Sequence, residues 1–185
     1  MIVAVDGTSA SGKGTLAEKL AQHFNLEPLD TGLLYRAVAL SMITAGDNLE
    51  DEKKATNHAT SLDYTSMDSP RLRNSDIGVA SSKIAAMKAV RLILLDFQQK
   101  FARNPPNGRS GTILDGRDIA TVVCPEADSK IFVTANIEIR AKRRWKQLIQ
   151  SDEPAIYARV LADLRERDTR DSTRQNAPLR KDSDA

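Results

Sequence analysis

Residues Gly7 to Thr15 read GTSASGKGT. Small residues of this kind let a main chain close around an anion with its N–H groups turned inward. Gly7, Gly12 and Lys13 satisfy the phosphate-cradle pattern G-x-x-x-x-G-K-[ST], but Gly14 stands where the pattern wants a hydroxyl. The residues expected to bind a nucleoside triphosphate are Gly7, Thr8, Ser9, Ala10, Ser11, Gly12, Lys13, Gly14 and Thr15, with Lys13 reaching between the outer phosphates. Without a hydroxyl at 14, Mg²⁺ is expected to be held mostly through water, by Thr15 or Asp6 nearby and by the phosphates. Two further stretches each carry an arginine after an acidic turn: Asp30-Thr31-Gly32-Leu33-Leu34-Tyr35-Arg36 and Asp115-Gly116-Arg117-Asp118-Ile119. A guanidinium fork bonds phosphate in bidentate fashion, so two arginines facing the loop imply an acceptor that already bears a phosphate.

The elements that must position these residues follow from apolar spacing. Ile2 to Val5 is a short continuous apolar run ending at Asp6-Gly7, the pattern of a strand buried on both faces. Leu26 to Leu29, Thr112 to Leu114 and Ile131 to Val133 read as three more strands. Leu16, Leu20, Ala21 and Phe24 recur at helical spacing after the glycine loop, and a second helix is expected from Leu34 to about Ala45, closed by Gly46. Ile84 to Phe101 reads as one amphipathic helix ended by Asn104 to Gly108; Ile139 to Ile149 and Ile156 to Asp168 read as Arg-rich helices. The polar stretch from Asp47 to about Asp76 has little periodicity and reads as an inserted lobe. Strand-helix alternation means crossovers over a mostly parallel sheet, and such sheets place ligands beyond the carboxyl ends of their strands. Those ends are Asp6-Gly7, Asp30-Thr31-Gly32, Asp115 to Asp118 and Thr134.

The totals exclude several classes. Lys and Arg exceed Asp and Glu by only two, 27 against 25, which argues against a polyanion partner. Arg159, Arg165, Arg167, Arg170 and Arg174 are interleaved with Asp163, Glu166, Asp168 and Asp171, so this run is not a nucleic-acid surface. No apolar run approaches the roughly 20 residues that span a bilayer, and Asp6 interrupts the first hydrophobic stretch, so neither a membrane span nor a signal peptide is expected. One cysteine, Cys124, allows no intramolecular disulfide and reads as a small filler. The expected location is cytoplasmic. His23, His58 and Trp145 need no catalytic role.

Together these stretches resemble the bacterial cytidylate kinases, which move a phosphoryl group from ATP to CMP or dCMP. The resemblance rests on Gly7 to Thr15, Asp30 to Arg36, Ala80-Ser81-Ser82-Lys83-Ile84-Ala85, Asp115 to Asp118, Thr121-Val122-Val123, and Glu166-Arg167-Asp168 through Arg174 to Ala177-Pro178-Leu179, which run along nearly the whole chain. It implies an α/β P-loop three-layer fold, with a mostly parallel sheet in the order 2-3-1-4, flanked by helices. It implies a single domain over residues 1–185, with a shortened nucleoside monophosphate-binding insert at about 47–80 and a lid-like helical region at about 140–175. ATP and Mg²⁺ are the implied cofactors, nucleotides the partners, and Lys13, Arg36 and Arg117 the catalytic residues. Arg36 and Arg117 would clamp the acceptor phosphate. Thr31, Arg91, Asp118 and Arg174 would contact cytosine, and Ser82, Arg167 and Asp171 the sugar. Arg140, Arg143 and Arg144 sit where lid arginines could meet the transferring group.

Two departures from the family are expected to matter. The usual three-stranded insert is cut down between Leu62-Asp63-Tyr64 and Leu72-Arg73-Asn74. Relatives also continue beyond a stretch like Asp182 to Ala185 into a last strand and helix, so the family's fifth, edge strand is expected to be missing. A monomer is the family's state; an open sheet edge offers a dimer instead. The competing readings are a P-loop kinase for another acceptor, such as UMP, shikimate or dephospho-coenzyme A, and a nucleotide binder with weak turnover.

Overall fold

A computed structural model describes residues 1–185 apart from Thr65, Ser66, Asp68 and Asp152. Three of these fall within the expected insert and one within the expected lid, so those parts of both lie outside the described residues.

The four expected strands form, slightly longer at their ends: β1 (Ile2–Gly7), β2 (Leu26–Asp30), β3 (Gly111–Gly116) and β4 (Ser129–Val133). They make one parallel sheet in the order β2-β3-β1-β4. In this register Asp6 lies opposite Gly116, Asp30 opposite Asp115, and Gly7 opposite Val133. The polar strand ends therefore share one edge, as the parallel geometry requires.

Seven α-helices among the described residues surround the sheet: α1 (Lys13–Phe24), α2 (Thr31–Ala45), α3 (Glu52–Thr60), α4 (Ser75–Ile84), α5 (Lys88–Arg103), α6 (Ile137–Gln150) and α7 (Tyr157–Thr173). Alternation along β1 sends Val3 and Val5 toward Ala17 and Ala21 of α1, and Ala4 toward the other face with Leu114, Ile119 and Ala102 of α5. Each fully buried Leu or Ile of these layers contributes about 1.5–3 kcal/mol of transfer free energy. A second core joins α2, α3, α4 and α5, while α6 and α7 close on a small core of their own, Ala141, Leu148, Val160 and Leu164.

Two expectations are corrected. The stretch from Asp47 to Asp76 contains α3, which buries only Ala55 and Ala59 against α2 and α5 and so leaves a faint apolar stripe. The single helix expected over Ile84–Phe101 is broken at Ala85–Met87, where Met87 turns extended (φ −76°, ψ 119°). The break frees the Ala85 carbonyl, and Arg91 takes it at 3.1 Å. At the far edge, no strand among the described residues pairs with the outer side of β4; Lys130 instead holds Asp182 at 3.1 Å.

Candidate active site

The glycine loop leaves β1 and enters α1. Gly12, at φ +100°, precedes the first helical residue in a conformation that side chains resist. Gly7 lies so close to β4 that a Cβ there would stand 2.1 Å from the Val133 carbonyl oxygen. The loop thus presents its main chain and the N-terminus of α1, with the Thr8 and Ser11 hydroxyl oxygens buried and lacking hydrogen-bond partners. A Cβ at Gly14 would meet only the Asp115 carboxylate, at 3.7 Å, so the missing side chain leaves room between loop and carboxylate.

Asp115 was not singled out as a site residue in the sequence, although it ends a strand. It accepts a hydrogen bond from Lys13 Nζ at 2.8 Å, and burial pushes its carboxyl up while the lysine charge pulls it down. Lys13 keeps two further donors for a phosphate. Asp115 lines the same cleft as Gly12, Gly14 and Thr15, of about 350 Å³. This donor set fits Mg²⁺, which takes one or two carboxylates and completes its shell with water and phosphate. Asp6 has another task. Both of its oxygens accept main-chain N–H groups, from Ile119 and Ala120, each at 2.8 Å.

On the other side of Lys13 lies a cavity of about 150 Å³, and every expected acceptor residue lines it: Thr31, Arg36, Ser82, Arg91, Arg117, Asp118, Arg167, Asp171 and Arg174. These come from α2, α4, α5, the β3 turn and α7. Arg36 is oriented by the Leu72 and Asn74 carbonyls, at 2.7 and 3.3 Å, and burial lowers its pKa. Gly78 makes room for it: a Cβ there would stand 3.0 Å from Arg36 Nη2. Thr31 is buried and donates its hydroxyl to the Asp115 carbonyl at 2.9 Å, tying the ends of β2 and β3 together.

Asp118 is the hub of the inner end. Arg91 bonds one of its oxygens, and Arg174 stands 3.6 Å from the other. Arg91 lies over the Tyr35 ring, 5.5 Å from its centre, and Arg174 is fixed by the Ala177 carbonyl at 2.8 Å. Asp171 accepts from Arg117 Nε at 2.9 Å; burial pushes its carboxyl up, but Arg117 and Arg167 outweigh this and the net shift is down. The Ser82 hydroxyl is met by Arg170 at 2.9 Å, a contact the sequence did not announce.

Two donors here lack hydrogen-bond partners. Arg167 Nε and Arg174 Nη2 are buried without a hydrogen bond. Burial, and then the positive charge of Arg117, push Arg167 down to about 9. Six cationic side chains and three carboxylates line this cavity, an excess of positive charge that an anion would relieve. Of the expected lid arginines, Arg140 and Arg143 donate to the loop's own Ser9 and Ser11 carbonyls, at 3.1 and 3.0 Å, and Arg144 to that of Arg73 at 3.4 Å. Trp145 packs edge-on against Tyr157 and donates to the Ala155 carbonyl, and burial pushes the Cys124 thiol up to about 12, so both keep structural roles.

A family model described as cytidylate kinase matches residues 3–185. The cytidylate kinases of Bradyrhizobium sp. (strain ORS 278) and of Methylocella silvestris are 49% and 51% identical to this chain over 185 residues. Those matches cover all of this chain and 85% and 84% of the relatives. A solved structure of an uncharacterized protein from Eubacterium ventriosum ATCC 27560 shares the fold, with a TM-score of 0.50 at 16% identity, over 100% of this chain and 83% of that one. A glycine loop, a cation-rich acceptor cavity across from it, and a family model that spans both lead to one assignment: the chain belongs to the cytidylate kinase family.

Proposed function

We infer that this chain transfers the γ-phosphoryl group of ATP to the α-phosphate of CMP and dCMP. The observation that carries this reading is the cavity beside Lys13, where six cationic side chains, two of them with a buried nitrogen that has no hydrogen bond, surround the Asp118 carboxylate at the inner end. Arg36 and Arg117 clamp the acceptor phosphate. Asp118, held between Arg91 and Arg174, accepts from the exocyclic amine of cytosine; uracil offers a carbonyl there and is repelled. Thr31 lines the base end, while Ser82, Arg167 and Asp171 border the sugar.

The attacking phosphate oxygen is already ionised, so no general base is needed. The transition state is loose and spreads charge over the transferring oxygens. Lys13 from the loop and Arg36 and Arg117 from the cavity hold that charge in line, while the Gly7–Thr15 main chain grips the donor. Asp115 and Thr15, with water, would hold Mg²⁺, which would supply charge neutralisation at the donor phosphates. The chain acts as a single domain. Its reduced insert at about 47–80 leads into Ser82's helix, and its lid at about 140–175 carries the arginines over the loop. A cytoplasmic location accords with this chemistry, and among the described residues no helix is long and apolar enough to cross a membrane. A monomer accords with the family, while the open side of β4 offers the route to a dimer; sedimentation equilibrium separates the two.

The test is ADP production from ATP and Mg²⁺ with CMP, dCMP, UMP, AMP and shikimate offered separately. Turnover with CMP and dCMP, lost in Lys13→Ala and Asp118→Ala, is the expected result. Equal turnover with UMP, or silence with every acceptor, would overturn the reading.

A further inference from the structure

Arg140 lies outside the acceptor cavity, is buried, and spends its guanidinium on three separate elements. Nε donates to the Ala135 carbonyl at 2.8 Å, in the turn that leads from β4 into α6. Nη1 donates to the Ser9 carbonyl at 3.1 Å, in the glycine loop. Nη2 donates to Asp168 on α7 at 2.6 Å. Asp168 follows Arg167 and precedes Asp171 by three residues, and Arg174 caps the C-terminal end of α7. The helix that supplies three acceptor residues is thereby tied, through one side chain, to the main chain of the donor loop.

The tied part of the loop is also its least relaxed. Ala10 sits at φ +58°, a region that non-glycine residues seldom occupy and that persists only where surroundings impose it. Its two neighbours are the residues whose carbonyls are held, Ser9 by Arg140 and Ser11 by Arg143 at 3.0 Å. Ser9 and Ala10 also border the acceptor cavity. A triphosphate that orders the loop fixes the Ser9 carbonyl, and with it Arg140, Asp168 and the register of α7. An acceptor that then binds α7 meets a helix already in place and loses less entropy on binding.

We propose that Arg140 is a positioning residue that couples the donor and acceptor sites, so that each nucleotide tightens the binding of the other. The proposal rests on the donor and acceptor assignments above. Coupling of this kind is reciprocal by linkage, and typical factors run from about 5 to 150.

The experiment is calorimetric titration of CMP with and without a saturating, non-hydrolysable ATP analogue and Mg²⁺, and the reciprocal titration. The wild-type protein is expected to show the same coupling factor in both directions, about fivefold or more. Arg140→Gln is expected to lower the coupling factor below about twofold in both directions, measured against that variant's own affinity for each nucleotide alone. Arg140→Lys, which keeps the charge but reaches fewer acceptors, should recover part of it. Asp168→Asn should reproduce the loss, and the Arg140→Gln/Asp168→Asn double variant should lose no more than the first change alone. If Arg140→Gln does not fold, Asp168→Asn decides. Wild-type coupling retained in Arg140→Gln or Asp168→Asn, or a factor of one in the unaltered protein, would overturn the proposal. Failure of the wild-type protein to bind either nucleotide alone would overturn the site assignments and the coupling with them.

Discussion

Asp6 gives the most direct test of how the site is held together. It ends β1 at 2% exposure, with its two oxygens on the Ile119 and Ala120 N–H groups. Burial pushes its carboxyl from 3.8 to about 6, against those two hydrogen bonds, which pull it down. The folded protein then holds this proton more tightly than the unfolded chain does. Asp6 therefore adds stability that is fully present below pH 3.8 and is lost as pH rises through about 6. The whole step is worth about 3 kcal/mol, of which about 1.4 kcal/mol falls between pH 7.5 and pH 5.0. Other carboxylates move total stability too, so the signal is the difference between wild type and Asp6→Asn, in which their contributions cancel. Urea unfolding at the two pH values should show that difference growing by about 1.4 kcal/mol in favour of wild type on going to pH 5.0. A flat or shrinking difference would mean that the two amide bonds outweigh burial, and would refute the reasoning. At neutral pH an amide at position 6 can accept only one of the two N–H bonds. The turn carrying Asp118 should then loosen, and KM for CMP should rise.

Three substitutions probe the rest of the site. Lys13→Ala should lower kcat by about 10²–10³-fold; it also strands the buried Asp115 carboxylate, so unfolding should show a loss of about 3 kcal/mol at neutral pH. Asp118→Asn should lower kcat/KM for CMP by about 10–100-fold and narrow the preference over UMP by a similar factor, read from parallel assays. Gly78→Ala brings a methyl group 3.0 Å from Arg36 Nη2; forcing that side chain off its rotamer should raise KM for CMP by about two- to tenfold while KM for ATP stays fixed.

What the sequence made legible followed from how locally each feature is encoded. The four strands are short continuous apolar runs, and the glycine loop is nine consecutive residues, so both could be read directly. Helix α3 could not, because its buried face consists of Ala55 and Ala59, whose side chains hardly disturb a polar pattern. The break between α4 and α5 contains neither Gly nor Pro, and its function appears only in space, where the freed Ala85 carbonyl orients Arg91 toward Asp118. Asp115 was visible as a strand end, yet its ion pair with Lys13 spans 102 positions. The resemblance to a family named the expected acceptor residues, and the fold brings them to one cavity; it did not reveal that Arg117 and Asp171 hold each other, or that Arg170 meets Ser82.

These pairings explain how a small protein keeps so many guanidinium groups aimed at one cavity. An isolated buried cation is costly, and burial lowers the pKa of Arg36, Arg167 and Arg174 alike. Arg36 is kept in place by the Leu72 and Asn74 carbonyls and Arg174 by that of Ala177, while the Asp171 carboxylate stands 3.9 Å from Arg167 Nε, beyond a hydrogen bond. The partial pairing fixes direction without neutralising the cavity, and the remaining positive charge favours a phosphate-bearing ligand. Preorganisation of this kind means that little has to move when charge develops on the transferring group. Arg167 Nε and Arg174 Nη2, buried without a hydrogen bond, are thus what the fold sacrifices in stability to be complementary to an anion it does not itself contain.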